Sequence, residues 1–175
     1  MNLIMSVELL IELMGPETIP FGRKPEVNQI VPDEEKIDFS DQAFNAINDG
    51  SPEPKIYLEQ DEVEKLPKDK MFIWLVYLIN REVHFKMIPD NTENPEGKKI
   101  VGGRRNVCHT NLSAGGKALQ GGECWWCEDT KTMYVNRKSG RYGAVSKSQW
   151  EAVLQFFRFV GYQNVVDSNF FEWNN

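Results

Sequence analysis

The sequence predicts an α+β fold: antiparallel β-hairpins forming a twisted sheet, with a packed C-terminal helix and a helical N-terminal part. Three observations predict it. Residues 71–79 and 82–88 are rich in strand formers and flank only Asn80-Arg81, the spacing of a tight hairpin turn. Residues 123–127 and 131–135 repeat that pattern around a turn at 128–130. Trp150, Val153, Leu154, Phe157 and Val160 then recur at helical spacing behind Ser146, a good helix cap.

The remaining elements follow in chain order. Residues 2–14 read as a helix with Leu3, Ile4, Leu10 and Met14 on one stripe, ended by Gly15-Pro16. Residues 16–36, rich in proline and charge, read as irregular connection. Asp38 or Ser40 can cap a short helix over 41–47, stopped by Asp49-Gly50, and Ser51-Pro52-Glu53-Pro54 is a further break. Another short helix is expected over 59–66. Residues 89–97 read as a loop. The C-terminal helix runs from 147 to about 160, Gly161 stops it, and 164–166 is a last strand. The chain divides into a helical part, 1–70, and a β-rich region with the C-terminal helix, 71–175, within one domain.

With 41% hydrophobic and 26% charged residues, the 175-residue chain is globular rather than disordered. Its longest apolar runs, 72–79 and 3–14, fall short of the roughly 18–20 residues of a membrane span. The N-terminus lacks the basic region and cleavage site of a signal peptide. Three cysteines, an odd number, argue against a secreted disulfide scaffold. The expectation is a cytoplasmic protein with no membrane partner.

Charge is unevenly spread. Residues 97–150 hold ten Lys/Arg, three acids and nine of the 13 glycines, for a net +7, while the rest of the chain is −13. A basic, glycine-rich stretch can hold an anion, or the two halves can simply attract each other. The acidic remainder argues against general nucleic-acid binding.

The chemistry-bearing residues concentrate in that stretch. His84 lies in an alternating strand and reads as structural. His109 follows Arg104-Arg105 at the edge of a polar, glycine-rich loop, where a histidine can act as a base, a donor or a brace. Glu123 follows Gly121-Gly122, and Ser139-Gly140-Arg141-Tyr142 offers turn amides, a guanidinium fork and a ring. The expected site therefore has His109 and Glu123 as catalytic residues and Arg104, Arg105, Ser139, Arg141 and Tyr142 as ligand-binding residues. The competing reading is a Glu123–Arg141 salt bridge that locks the hairpin.

The run Cys108-His109-Thr110-Asn111-Leu112, Gly115-Gly116 with Ala118, Gly122-Glu123 and Ser139-Gly140-Arg141-Tyr142 resembles a signature of small bacterial, phage and toxin-associated domains. Its order is His-x-x-Leu, Gly-Glu opening a hairpin, and Ser-Gly-His/Arg-Tyr closing it before a helix. The resemblance spans 71–162 and leaves 1–70 outside. It implies a site rather than a particular reaction. The group usually carries an apolar residue where Cys124 and Cys127 stand.

Cys124-Trp125-Trp126-Cys127 suggests a redox pair or, with Cys108 and His109, zinc. Residues three apart on a strand face opposite sides, so neither is expected, and no metal or cofactor is assigned. The His-x-Glu of nucleobase deaminases is absent, as are a Walker loop, a dinucleotide fingerprint and a nucleophile elbow. Trp125 and Trp126 should point to opposite faces. The expected function is nucleotide handling, as a transferase or hydrolase on an NAD- or ADP-ribose-like ligand. The alternative is a non-catalytic accessory factor, of phage or effector type, that binds and blocks a protein partner.

Overall fold

The computed structural model describes residues 7–15, 31, 33–47, 55–56, 71–90, 92, 106–127 and 130–169. Their framework is a seven-stranded mixed sheet built around one hairpin. Strand β3 (Phe72–Ile79) pairs antiparallel with β4 (Glu82–Pro89) through the expected turn, with Asn80 at φ 49° and Arg81 at φ 62°. Positive φ at both central residues is the twist-matched two-residue hairpin turn. Asn80→Pro should therefore cost roughly 2 kcal/mol or more, because proline locks φ near −65°. An unchanged melting temperature would refute that cost.

On its other side β3 pairs antiparallel with β5 (Gln120–Cys127), which pairs with β6 (Thr132–Asn136). Helix α2 (Lys147–Phe159) then returns the chain so that β7 (Asn164–Asp167) lies parallel to β6. Two short strands complete the sheet: β1 (Phe44–Asn45) on the edge of β4, and β2 (Lys55–Ile56) parallel to the end of β5. The strand order is β1-β4-β3-β5-β6-β7, with β2 off this path.

Strand alternation sends two cores to opposite faces. On one face Trp74, Phe85, Met87, Cys124 and Val135 meet α2 and α1 (Val7–Met14). Trp74 and Phe157 cross edge to face at 5.2 Å. Ser146 caps α2 by accepting from the Gln149 amide, and Trp150, Val153 and Phe157 face inward as the periodicity predicts. Phe156 is also buried, against Phe85. Leu10 and Met14 of α1 join the core, and Gly15 ends that helix at φ 85°.

Among the described residues the second face has no long helix. Residues 106–119 cover it instead, with Val107, Leu112 and Ala118 packing in one cluster with Ile73 and Leu75. Phe39 and Tyr142 fill the same cluster. Asn111 ties this roof to the N-terminal part by donating to the Glu34 and Ile37 carbonyls, both at 2.9 Å.

The short helix expected over 41–47 does not form. Ser40–Gln42 makes one 3₁₀ turn, with Asp38 accepting from the Ser40 amide, and the chain then extends so that Phe44 pairs with Met87. An unfilled edge of β4 outweighs a weak local helical preference. The helix expected over 59–66, together with Leu3 and Ile4, lies outside the described residues.

Candidate functional site

Glycine decides how the second face is furnished along β5. A Cβ on Gly121 would meet Leu75, His109 and Tyr142 at 3.1–3.2 Å. The bare backbone there lets the imidazole lie against the sheet. His109 sits in a 3₁₀ turn, His109–Asn111, whose Asn111 side chain accepts from the Cys108 amide at 2.8 Å. His109 Nε2 donates to the Gly122 carbonyl at 2.7 Å, which fixes the proton on that nitrogen. Gly122 admits no side chain, since a Cβ would fall 2.0 Å from the Asn136 carbonyl.

Glu123 is the next residue on His109's face, one pleat repeat from Gly121, or about 7 Å. It is 6% exposed. Its amide donates to Asn136 Oδ1 at 2.9 Å, and Asn136 Nδ2 donates to Glu123 Oε1 at 3.3 Å. Asp90, half-buried at the end of β4, faces the same carboxyl. Burial, then the hydrogen bond and negative charge of Asp90, push the Glu123 carboxyl up to about 7, against the smaller opposing effects of Asn136 and Lys138. Asp90 Oδ2 is buried with no hydrogen-bond partner among the described residues.

The other expected ligand-binding residues have structural work. Arg141 reaches Glu35, not Glu123, in an ion pair at 3.5 Å with side chains 11% and 9% exposed. Ser139 accepts from the Tyr142 amide at 3.2 Å, and its carbonyl accepts from Gly143. Tyr142 is buried; burial pushes its hydroxyl up to about 12, and that hydroxyl donates to the Gly116 carbonyl at 2.7 Å. Among the described residues, His109, Glu123, Arg141 and Tyr142 therefore do not line one open pocket. His109 and Glu123 share a face of the sheet, and Arg141 and Tyr142 brace the walls. Arg104 and Arg105 lie outside the described residues.

Cys124 and Cys127 face opposite sides of β5, Cys124 in the helix-side core and Cys127 beside Met71 and Trp125. Burial pushes the Cys124 thiol up, the reverse of what a reactive thiolate needs. Trp125 and Trp126 also divide between faces, but both are buried, Trp125 stacked on Tyr134 at 5.6 Å.

Asp90 falls in a stretch that reads as loop, and Asn136 carries no assigned role in the signature run from Val135 to Tyr142; their proximity to Glu123 depends on strand register, which local pattern does not encode. A separate cleft of about 330 Å³ opens at the far end of the face. Its floor is Tyr77, Leu78 and Ile79, four to six residues along β3 from Ile73, the partner of Glu123. That separation is at least about 13 Å.

No family model, curated protein or solved structure matches this chain.

Proposed function

We propose that this chain handles a phosphate-bearing small molecule of the nucleotide class, NAD- or ADP-ribose-like, with Glu123 moving a proton in a transfer or hydrolysis step. The observation that carries the reading is the setting of Glu123: a buried carboxyl held near 7 beside Asp90, on the same face as His109. Such an acid is available in both protonation states near neutral pH, as general acid–base catalysis requires. A glutamate also suits a ribose hydroxyl. Four cations suited to phosphate, Lys98, Lys99, Arg104 and Arg105, belong in sequence to the segment between Thr92 and Asn106. The Val107 amide donates to the Thr92 carbonyl at 2.8 Å, which joins the ends of that segment two residues from Asp90.

Thermal-shift screening against NAD, ADP-ribose, nucleotides and cyclic nucleotides should give at least one ligand that raises the melting temperature. Glu123→Gln should keep the fold and lower turnover of that ligand by about 100-fold or more. A blank screen, or turnover indifferent to Glu123→Gln, would overturn the reading. A non-catalytic, partner-binding protein is the second reading. It is favoured by Leu9 and Leu13, one turn apart on α1 and exposed at 41% and 44%.

A further inference from the structure

The cleft at the far end of the second face is built independently of Glu123. One side is the turn carrying Asp38 and Ser40; the other is the loop from Leu112 to Lys117. That loop is held rigidly. The Gly115 amide donates to the Thr110 carbonyl, the Gly116 amide to Ser113, and the Tyr142 hydroxyl to the Gly116 carbonyl from behind. Leu112, Gly115-Gly116 and Tyr142 belong to the sequence signature, and they build or brace this wall. Ala114 within it stands at φ 51°, in the left-handed region that a non-glycine residue adopts at a cost. Strain of this kind gathers at binding sites, where the surrounding structure holds it in place.

The cleft's chemistry is specific. Lys117 is exposed and makes no ion pair among the described residues. Asp38 is exposed, and one of its oxygens accepts from the Ser40 amide at 2.8 Å, leaving the other to face a ligand. Ile79, 47% exposed, gives the apolar surface between them, with the backbone of Leu78 and the buried Leu112 beneath. The lining thus carries one positive and one negative charge. A phosphate dianion would gain one cation and face a carboxylate, with Asp41 adding negative charge near Tyr77. A ligand of zero net charge that carries both signs matches better.

We propose that this cleft binds a small zwitterion with an apolar side chain, an amino acid or a dipeptide, with its ammonium on Asp38 and its carboxylate on Lys117. The volume suits one or two residues, at the small end of ligand pockets. Titration of the whole chain with leucine, phenylalanine and Leu-Leu, followed by NMR shifts of the 112–117 amides, tests it. The zwitterions should bind, and the N-acetyl and C-terminal amide forms should each bind about tenfold or more weakly, because each removes one charge-assisted contact. Lys117→Gln should weaken the zwitterions by a similar factor yet leave the amide forms unchanged. Asp38→Asn should do the converse, sparing the N-acetyl forms. Both side chains are exposed, so both variants should fold. Blocked forms that bind as well as the zwitterions would overturn the proposal, as would no shift with any of these ligands. A nucleoside monophosphate that binds there in their place, dependent on Lys117 but not on Asp38, would also overturn it.

Discussion

Arg141→Gln should destabilise the protein by about 3 to 5 kcal/mol and lower its melting temperature by about 10 °C or more. The arginine joins the turn after β6 to the 3₁₀ turn Asp33–Lys36 through its one buried residue, Glu35, and both side chains of the pair are about nine-tenths buried. Removing the guanidinium strands a carboxylate in a site with little water, which costs far more than losing an exposed ion pair. The pair also fixes the Ser139–Gly143 turn whose next residue, Tyr142, props the Gly116 carbonyl. The double variant Glu35→Gln/Arg141→Gln should recover much of the loss, because the stranded charge goes with it. Urea unfolding of the two variants checks this. A stable single variant would place the arginine's role at a ligand instead.

Glu123 should make stability fall as pH rises toward neutrality. Its carboxyl stands at about 7 in the folded chain against an ordinary 4.5, so the folded state holds the proton more tightly than the unfolded one. The stabilising contribution is fully present below about 4.5 and is lost as pH rises through about 7. Because Glu123 is almost wholly buried, the change between pH 5 and 8 is on the order of 2 to 3 kcal/mol. Glu123→Gln mimics the protonated form and removes this term. Relative to the wild type, the variant should therefore gain on the order of 2 to 3 kcal/mol between pH 5 and pH 8. Urea unfolding of both proteins at the two pH values gives that difference directly and cancels the other titrating groups. A gap that stays constant with pH would mean that Glu123 is ionised throughout. Asp90→Asn should shrink the effect by removing the facing charge.

Elements whose instructions are local were legible in the sequence. Asn80-Arg81 between two strand-forming runs, and Ser146 before a helical stripe, each encode their geometry within a few residues, and the hairpin and α2 form as expected. Phe44 and Asn45 were misread as helical because their conformation is set by the open edge of β4, a partner about 40 residues away. Gln120, Gly121 and Gly122 were not read as strand, since two glycines hide one; here they are needed for His109 and Trp74 to approach the backbone. The placement of the candidate residues was only partly legible. His109 and Glu123 are marked by residue type and neighbouring glycines, and they share a face. Arg141 carried the same chemical promise, yet its partner is an ordinary acid, Glu35, in a charged segment with nothing to distinguish it from Glu34. The Asp90–Glu123 pairing arises only when β4, β3 and β5 are laid side by side.

The crossing of the second face also sets an order in time. β3 and β4 meet through a two-residue turn, so their hairpin can close on the microsecond scale. β5 pairs with β3 from far along the chain, and contacts such as Trp74 to Glu123 join residues 49 apart. Closing so large a loop costs entropy before any contact repays it, which places the β3–β5 pairing late and slows folding of the whole. Glu123 takes its place on the face with His109 only in that late step. A chain arrested before it would show a formed hairpin without Glu123 beside Asp90, so recovery of the Glu123 environment in a refolding sample should lag behind recovery of its hairpin.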